Sequence, residues 1–515
     1  MKQLIFFISL LFASSFLVTA CDDSDNNVDT ERAEDITLEV QPVSLNFAAE
    51  GGEQTISVSS NSNWTISFSS DSWVKPDISA SKGNVDVKIV AEASDVEEER
   101  TVVLTISAGK DDNRKDIEVT VTQAARIPFD EPENGNENGD EPAEYIEPDA
   151  SGMRDITAVE FSQLMTVGWN LGNSLEAINV VDGVYSGGET SWGNPVVTQQ
   201  LIDSVAEAGF NTIRIPVSWS HKIVDETNYK ISDSWLQRVG EVVNYALDND
   251  MFVIINIHWD GGWMNHPFYD NQDEINNKLK ALWKQIAIYF RDYDDRLLFA
   301  GSNEVHVEGN YGDPSTENVE VQNSFNQTFV NTVRATGGRN VYRYLVVQAY
   351  NTNISYAVNY MVMPSDEATN RLLAEVHFYD PYDFTLQTDG NYKTQWGEPF
   401  SGGDVSSWGQ EDWVDEAFGM MKTNFVDEGY GVILGEYGAV LRSGLTGDEL
   451  TQHIEARKYY LEYVTSAAIE NYIVPIYWDN GYAGNNGFAL FDRQSGEVVD
   501  PVALEAILSG AGISN

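Results

Sequence analysis

Cysteine and positive charge are both scarce in this sequence of 515 residues. Cys21 is the only cysteine, so the chain cannot form an internal disulfide and must rely on packed cores. Lysine and arginine number 30, against 81 aspartate and glutamate residues, which gives a formal net charge of −51. A surface this negative repels phosphate backbones, so we expect no nucleic-acid partner.

Motifs for metals and cofactors are also lacking. The six histidines are scattered, and none belongs to the metal-binding pattern His-Glu-x-x-His. The sequence has neither a phosphate-binding Walker loop nor a GxGxxG turn between a strand and a helix. We therefore predict a function that needs no metal and no other cofactor.

The first residues are typical of an export signal. Lys2 precedes an apolar run from Leu4 to Val18, which is too short to span a bilayer as a folded helix. The run leads through small residues to Cys21, and the stretch LVTAC resembles the signal of bacterial lipoproteins, whose cysteine carries the lipid. The alternative is an ordinary secretory signal followed by a chance cysteine.

We accordingly predict a signal peptide over residues 1–20, lipid modification of Cys21 and an acidic tether over residues 21–36. The predicted protein is exported and is attached to a membrane through its lipid. The expected location is the cell surface or outer membrane of a Gram-negative bacterium, and we expect a monomer.

Residues 37–125 are typical of an all-β domain. Runs such as EQTISVSS and VDVKIVAEAS alternate apolar and polar residues and are separated by turn sequences, which predicts an immunoglobulin-like β-sandwich. The stretch resembles a BACON-type domain, and that resemblance implies carbohydrate binding, with Trp64 and Trp73 as a platform. The alternative, which we favour, is a spacer whose tryptophans belong to the core.

The composition changes twice after this domain. Residues 126–151 are acidic and rich in Pro, Gly and Asn, which predicts an extended linker. From residue 152 to residue 515, apolar runs alternate with helical patterns, which indicates a parallel sheet. Eight of these runs end in polar or aromatic residues, as expected for a (β/α)8 (TIM) barrel with its active site at the carboxyl ends of its strands. The run ends carry Asn170, Arg214, His258, Glu304, Tyr350, His377, Glu436 and Trp478.

Two of these residues form a candidate catalytic pair. Glu304 ends the fourth run and Glu436 the seventh, so barrel closure brings them to facing sides of the mouth. One carboxylic acid can then protonate a glycosidic oxygen while the other carboxylate attacks the sugar, and their repulsion leaves one proton on the pair near neutral pH. A retaining reaction requires a separation of about 5–5.5 Å, whereas about 6.5–9.5 Å indicates inversion. For either glutamate alone, a solvated loop is the simpler explanation.

The region from residue 152 onwards resembles glycoside hydrolase family 5, and within it the endo-β-1,4-glucanases of subfamily 4. The stretches that carry the resemblance are GWNLGNSLEA, ETSWGNP, GFNTIRIPVSW, INIHWDGGWMNHP, LLFAGSNEV, VHFYDPYDF, VILGEYGA and YWDNG. The resemblance implies that Glu304 is the acid/base and Glu436 the nucleophile. It also implies supporting roles: Asn303 on the sugar 2-hydroxyl, Arg214 and Tyr379 beside the nucleophile, His258 and His377 around the cleaved sugar, and Trp478 beneath it.

The sequence departs from the family pattern at two positions. Val305 stands where proline often follows the acid, which affects the loop rather than the chemistry. Trp259 follows His258 where many members have a second histidine, which bears on specificity. With Trp263, Trp192, Phe268 and Tyr269, it can line a wide aromatic cleft, or these rings can anchor loops.

The whole arrangement of lipoprotein signal, BACON-like domain, linker and barrel resembles anchored endo-xyloglucanases of glycan-scavenging bacteria. The predicted partner is a polysaccharide, with xyloglucan favoured. Alternatives are an endoglucanase on unbranched or mixed-linkage glucan and an endo-mannanase, which share the catalytic pair. A non-catalytic glycan-binding lipoprotein is the alternative from another class.

Overall fold

A computed structural model describes residues 36–47, 52–68, 73–91, 100–110, 113–123, 143–310 and 312–513. They belong to two compact units, Met1–Pro128 and Phe129–Asn515. Cys21 and the predicted signal peptide lie outside the described residues. No helix in the described ranges is both long enough and apolar enough to cross a membrane.

The first unit contains two β-sheets, and the predicted β-sandwich is confirmed. Alternating residues point to a shared core, where Ile56, Val58 and Leu104 are buried. The described strands are β1 Leu38–Gln41, β2 Ser44–Phe47, β3 Gly52–Ser60, β4 Asn63–Ser67, β5 Val74–Pro76, β6 Ala80–Lys82, β7 Val85–Ala91, β8 Arg100–Ala108 and β9 Lys115–Gln123. They pair in the orders β1-β3-β7-β5 and β2-β9-β8-β4-β6.

The tryptophans of this sandwich do not form an exposed platform. Trp64 is buried, and its indole N–H donates to the carbonyl of Gly83 at 2.9 Å. Trp73 is partly buried against the core, and the guanidinium of Arg100 lies 4.6 Å from its ring centroid. Both rings are therefore engaged by the domain itself, as the spacer interpretation requires.

The second unit is a closed barrel of eight parallel strands, which confirms the predicted (β/α)8 fold. The first and last strands close the barrel, with Gly168 paired to Ile476. Two short hairpins lie in the loops after the first and second barrel strands. The barrel strands are β10 Gly168–Asn170, β13 Thr212–Ile215, β16 Phe252–Asn256, β17 Leu297–Ala300, β18 Leu345–Gln348, β19 Leu372–Phe378, β20 Gly431–Tyr437 and β21 Ile473–Tyr477; the hairpins are β11 Ile178–Val181 with β12 Val184–Gly187 and β14 Ile223–Asp225 with β15 Lys230–Ile231.

Helices cover the outside of the barrel and begin at recognisable caps. The Ser315 hydroxyl accepts from the Asn318 N–H, while the Asn318 side chain accepts from the Ser315 N–H, and this reciprocal cap starts the helix after β17. Asp500 caps the last helix, with Pro501 at its first position. The helices are α1 Ala158–Ser162, α2 Gln199–Glu207, α3 Asp233–Leu247, α4 Tyr269–Tyr289, α5 Thr316–Arg334, α6 Ile354–Tyr360, α7 Tyr382–Thr385, α8 Glu411–Met421, α9 Gly447–Glu470 and α10 Pro501–Gly510.

The barrel interior has two layers of different chemistry. Every second residue of a strand points to the same side, and on three strands a lower apolar side chain is followed two residues later by an upper polar one: Ile254–Asn256, Val346–Gln348 and Leu373–Glu375. The lower layer packs against α1 and consists of Ile254, Leu298, Val346, Leu373, Ile433 and Val474. The upper layer lies at the carboxyl ends of the strands and consists of Asn170, Arg214, Asn256, Gln348 and Glu375, all of them buried.

Part of the predicted linker packs on the barrel. Ile146 forms a bridge with Gly337, Arg291 donates to the carbonyl of Ala143 at 3.0 Å, and Glu144 pairs with Lys284 at 2.6 Å. Residues 143–151 therefore belong with the folded barrel, although their composition resembles that of the linker residues before them. The reason is Ile146, an apolar residue with a complementary site beside Gly337.

Candidate active site

Glu304 lies just beyond β17 and has a backbone conformation that few non-glycine residues adopt. Its φ is +50°, in the left-handed region, where non-glycine residues are uncommon and cluster at functional sites. Its backbone N–H donates to Oε1 of Gln348, the last residue of β18, at 3.0 Å. The side chain is 40% exposed, so the carboxylate is accessible while its backbone is fixed.

Glu436 is aimed into the barrel by a β-bulge in β20. Val376 pairs with Leu434, but the next pair joins His377 to Glu436, so Gly435 is an extra residue on β20. Bulges of this kind redirect the following side chain and increase local twist. A Cβ at Gly435 would lie 2.1 Å from Oε1 of Glu375, so the position requires glycine.

The two glutamates meet at the barrel mouth. A carboxylate oxygen of Glu304 and one of Glu436 lie within 4.8 Å of each other, and a ring nitrogen of His377 lies within that distance of both. This is close to the spacing of about 5–5.5 Å in retaining glycosidases and well short of the inverting range. The pair that the sequence predicted from two separate strand ends therefore shares one site.

Arg214 and Tyr379 hold Glu436 from two sides. Arg214 Nη1 lies 3.0 Å from Oε1 of Glu436, and the Tyr379 hydroxyl donates to Oε2 at 3.1 Å. Burial and the charge of Glu436 raise the pKa of Tyr379 well above 10, so its hydroxyl remains a donor. A cation and a neutral donor on the same carboxylate stabilise its ionised form, which suits a nucleophile.

Two asparagines fix the guanidinium of Arg214. Nη1 donates to Oδ1 of Asn170 at 3.0 Å, and Nη2 donates to Oδ1 of Asn303 at 2.6 Å. The amide of Asn170 also donates to the carbonyl of Gly435 at 2.8 Å, which ties it to the bulge. Since the oxygen of Asn303 is occupied by Arg214, its amide N–H groups are available to a sugar hydroxyl.

His377 bridges three carboxylates. Its Nδ1 lies 2.7 Å from Oε1 of Glu304 and 3.7 Å from Oε2 of Glu436, and its Nε2 lies 3.2 Å from Oε1 of Glu375. Burial by itself lowers the pKa of His377, but the charge of Glu436 and the hydrogen bonds to Glu304 and Glu375 raise it to about 9. At neutral pH the ring is therefore an imidazolium that donates from both nitrogens.

The pKa values of the two glutamates move in opposite directions. Burial raises the pKa of Glu304, but the hydrogen bond and charge of His377, with the charge of Arg214, outweigh it and the net pKa is lowered. At Glu436 burial raises the pKa, and the opposing charges of His377 and Arg214 only partly offset it. The proton beside Glu304 therefore resides on His377, which donates it in the hydrogen bond to Glu304.

His258 has a defined tautomer. The Asn256 side-chain oxygen accepts from the Val217 N–H at 3.1 Å, so its amide nitrogen donates to Nδ1 of His258 at 3.2 Å. The proton is then on Nε2. Burial, with the charges of Arg214 and His377, lowers the pKa of His258 well below 6.5, so the ring is neutral. It lies parallel to Trp478, with ring centroids 5.9 Å apart.

The same groups are the ones to consider for a metal. Among the described residues, Glu304, His377 and Glu436 are the carboxylates and imidazole near enough to one another to share an ion. Arg214 and the His377 imidazolium already supply positive charge to these carboxylates. The absence of a metal from the reaction stays a prediction.

Comparison with known families identifies the barrel. The sequence pattern of the cellulase family, glycosyl hydrolase family 5, matches residues 178–484. The chain belongs to glycosyl hydrolase family 5. A second pattern, that of the viral BACON domain, matches residues 37–125. Both resemblances that the sequence motifs indicated are confirmed.

Relatives within family 5 cover either the whole chain or the barrel. The xyloglucan-specific endo-β-1,4-glucanase BoGH5A of Bacteroides ovatus is 44% identical over 514 residues, 99% of this chain and 96% of that protein. The solved B. ovatus family 5 xyloglucanase with an XXXG heptasaccharide superposes with a TM-score of 0.70 at 44% identity, covering 93% of this chain and all of that one. Endoglucanase A of Paenibacillus barcinonensis is 41% identical and covers 70% of this chain and 92% of its own length.

The aromatic residues predicted to line the family 5 cleft divide into two groups. Trp259 and Trp192 are 41% and 39% exposed. Trp263 is an anchor: its indole N–H donates to Oδ2 of Asp260 at 2.8 Å, and the Lys278 ammonium lies 4.4 Å from its ring centroid. Lys278 therefore covers one face of Trp263, as the loop-anchor alternative expects, and a contact of Trp263 with a sugar stays a prediction.

Two further rings on this loop also contact protein. Phe268 is partly buried at the start of α4. Tyr269 is exposed, but its hydroxyl donates to the carboxylate of Glu320 on α5. Two aromatic residues near the strand ends are buried in the protein instead of facing the cleft. Tyr437 is buried with its hydroxyl against Thr465 of α9, and Trp219 is buried with its indole N–H on the carbonyl of Asn256.

Sequence reasoning missed one charged member of the family 5 site. Glu375 is fully buried in β19, and its Oε1 contacts both Nε of Arg214, at 3.0 Å, and His377. The signal was present in LLAEVHFYD, where an acidic residue interrupts an apolar run two positions before a histidine. Two residues of spacing on a strand place both side chains on one face, here the barrel interior.

Proposed function

We propose that this family 5 glycoside hydrolase is a retaining endo-xyloglucanase. The observation that carries the catalytic part is the close approach of the Glu304 and Glu436 carboxylates, with Arg214 and Tyr379 on Glu436. The similarity to BoGH5A over almost the whole chain supports xyloglucan as the substrate. The reaction is a double displacement.

In the first displacement, Oε2 or Oε1 of Glu436 attacks the anomeric carbon of the sugar, and the bond from that carbon to the glycosidic oxygen breaks. Glu304 gives a proton to the departing oxygen, which leaves as a hydroxyl on the released chain. Arg214 and Tyr379 orient Glu436 and favour its ionised form against the effect of burial until it forms the covalent bond. The Asn303 amide is placed to hydrogen-bond a sugar hydroxyl, an interaction that strengthens in the transition state.

In the second displacement, Glu304, now ionised, accepts a proton from water, and the hydroxide attacks the same anomeric carbon. The bond to Glu436 breaks and its carboxylate is regenerated. Two inversions give net retention. Protein side chains stabilise the charges in these two displacements, and water returns the proton that Glu304 gives up.

The substrate test compares four soluble polysaccharides. The full chain without residues 1–20 is assayed for new reducing ends on xyloglucan, carboxymethylcellulose, barley glucan and mannan. We expect the highest kcat/KM on xyloglucan and a β-anomer as the first product by NMR. Activity on mannan alone would contradict the glucan-backbone proposal, and an α-anomer would contradict retention.

A second candidate is a broad-specificity endoglucanase. Solved family 5 subfamily 4 structures described in this way, from Bacteroides salanitronis and Ruminococcus champanellensis, superpose with TM-scores of 0.64 and 0.60. Exposed Trp259 offers a way to separate the candidates. If it contacts a branch, Trp259→Ala raises KM several-fold for xyloglucan but not for carboxymethylcellulose, about 1 kcal/mol for one aromatic contact. Equal losses on both would indicate stacking on the backbone.

A non-catalytic glycan receptor would be expected to lack one of the two carboxylates. Both glutamates are present, and both have the contacts that a catalytic pair uses. An endo-mannanase shares this pair, and the polysaccharide panel separates it from a glucanase. Neither alternative is favoured by a feature of the described residues.

Attachment to an outer membrane through a lipid on Cys21 is part of the proposal. It is supported by the LVTAC stretch after the apolar N-terminal run. The sandwich, whose tryptophans are engaged internally, would then act as a spacer. In a Gram-negative host, Cys21→Ser should move the protein from the membrane fraction to the soluble fraction. An unchanged fractionation would contradict the anchor.

A further inference from the structure

Glu375 is an anion with no assigned role in the reaction. It is fully buried in the upper layer of the barrel and cannot reach the cleft. An ionised carboxylate is unfavourable in such a place unless positive groups compensate it. Burial raises the pKa of Glu375, but Arg214 and His377 outweigh that effect and the net pKa is lowered. Glu375 is therefore a fixed negative charge beneath the catalytic pair.

One oxygen of Glu375 contacts both cations of the site. Oε1 lies 3.0 Å from Nε of Arg214 and 3.2 Å from Nε2 of His377. Arg214 is also held by Asn170, Asn303 and Glu436, so its position does not depend on Glu375 alone. His377 is different, because its Nε2 faces Glu375 while its Nδ1 faces Glu304.

We propose that Glu375 is a positioning residue that keeps His377 doubly protonated, so that the imidazolium supplies the proton which Glu304 delivers to the leaving oxygen. The inference rests on the proposed roles of Glu304 and Glu436. The proton moves from Nδ1 of His377 to Oε1 of Glu304 along their 2.7 Å hydrogen bond. His377 is then neutral, with its remaining proton on Nε2 against Glu375. When Glu304 later takes a proton from water, the reverse transfer restores the imidazolium.

The charges around His377 support this assignment. Glu304 and Glu436 face it from β17 and β20, and Glu375 faces it from its own strand. Arg214 shares Oε1 of Glu375 with His377, His258 is neutral, and the Tyr379 hydroxyl remains protonated. The anions favour the imidazolium and Arg214 opposes it. Removal of Glu375 leaves Nε2 without its anionic partner and shifts this balance towards the neutral ring.

The test is Glu375→Gln, which keeps the shape of the side chain and removes its charge. The full chain without residues 1–20 is assayed on xyloglucan across pH. We expect kcat to fall about tenfold and the alkaline limb of kcat/KM to move to lower pH by about one unit, because the proton on the His377–Glu304 pair is lost more easily. KM should stay within about twofold, since Glu375 does not reach the cleft.

Asp366→Asn is the matched control. Asp366 is a buried carboxylate paired with Arg334 at 2.7 Å, in the connection before β19 and thus at the other end of the strands. Its loss should affect stability while leaving the alkaline limb unchanged. An alkaline limb in Glu375→Gln that matches the wild type would overturn the proposal, and so would an equal shift in Asp366→Asn.

A measurement that needs no activity separates this inference from the proposed function. In NMR of protein with ¹⁵N-labelled histidine, the His377 signals are assigned by their loss in His377→Gln. We expect both ring nitrogens of wild-type His377 to be protonated at pH 7, and Glu375→Gln to titrate at lower pH. A neutral His377 ring in the wild type at pH 7 would overturn the inference, even if Glu375→Gln does not fold. If no polysaccharide is cleaved, the proposed function fails and the NMR result still decides the state of His377.

Discussion

The lower and upper layers of the barrel interior are built on the same strands, yet they differ in every chemical respect. The lower layer is a packed set of aliphatic side chains against α1. The upper layer, at the carboxyl ends of the strands, contains buried charges and amides that hold one another. The comparison indicates that a single strand can serve stability at one end and function at the other, as expected of this fold.

The largest effect is expected from two substitutions in the active site above the upper layer, which test the catalytic roles of the glutamates. Glu436→Gln and Glu304→Gln should each lower kcat on xyloglucan by roughly 10⁴-fold or more, because each removes a group that acts on the reacting bond. A nitrophenyl glycoside, whose leaving group needs no proton, should recover formation of the glycosyl-enzyme in Glu304→Gln but not in Glu436→Gln. Rapid kinetics would measure this burst. Recovery in Glu436→Gln instead would reverse the assigned roles.

The matching test for the lower layer is Leu298→Ala, which tests its contribution to stability. Leu298 is fully buried among apolar side chains, so its truncation should lower the free energy of unfolding by about 2–5 kcal/mol. Chemical denaturation followed by circular dichroism would measure the loss. At temperatures where the variant is folded, kcat should match the wild type. A large fall in kcat without loss of stability would break the division between the two layers.

A smaller effect is expected from Tyr379→Phe at the upper end. The substitution removes one hydrogen bond, at 3.1 Å, from Oε2 of Glu436 and leaves Arg214 in place. We expect kcat to fall about tenfold, equivalent to about 1.4 kcal/mol, while the melting temperature stays close to that of the wild type. Steady-state kinetics and calorimetry on the same preparation would test this. Unchanged kcat would show that Arg214 alone maintains the nucleophile.

The last expected effect is on stability as a function of pH. The pKa of His377 is raised to about 9, above about 6.5 in an unfolded chain. The folded state therefore binds the proton more tightly, and this stabilisation is complete below about pH 6.5 and is lost as pH rises towards 9. The melting temperature should fall more between pH 6 and pH 9 in the wild type than in His377→Gln. Parallel curves would show that His377 has the same proton affinity in both states.

The sequence predicted much of this architecture because a barrel repeats its signal. Each apolar run had to be buried on both faces, and each ended in side chains too polar for the core, so Glu304 and Glu436 could be placed at one rim. Features that occur at only one place in the barrel were harder to predict. The bulge at Gly435 and the short separation between His377 and Glu304 depend on the register of neighbouring strands, which a single run does not encode.

Two other differences came from contacts distant in the chain. Trp263 belongs to an aromatic-rich loop that suggests a cleft wall, but Lys278 from α4 covers its ring and Asp260 binds its indole. Residues 143–151 have the composition of a linker, yet Ile146 docks beside Gly337. In both cases the composition of the segment was recognised correctly, but its position depends on a contact with a residue elsewhere in the chain.

The glycine at position 435 has a consequence for building hybrid enzymes from related barrels. Its missing side chain makes room for the carboxylate of Glu375 on the adjacent strand. The residue at position 435 of β20 must therefore match the residue at position 375 of β19. An exchange of one strand alone would join a bulky residue to this acid, or leave the acid's space unfilled. Recombination breakpoints in this protein should therefore fall outside the pair, with both strands inherited from the same parent.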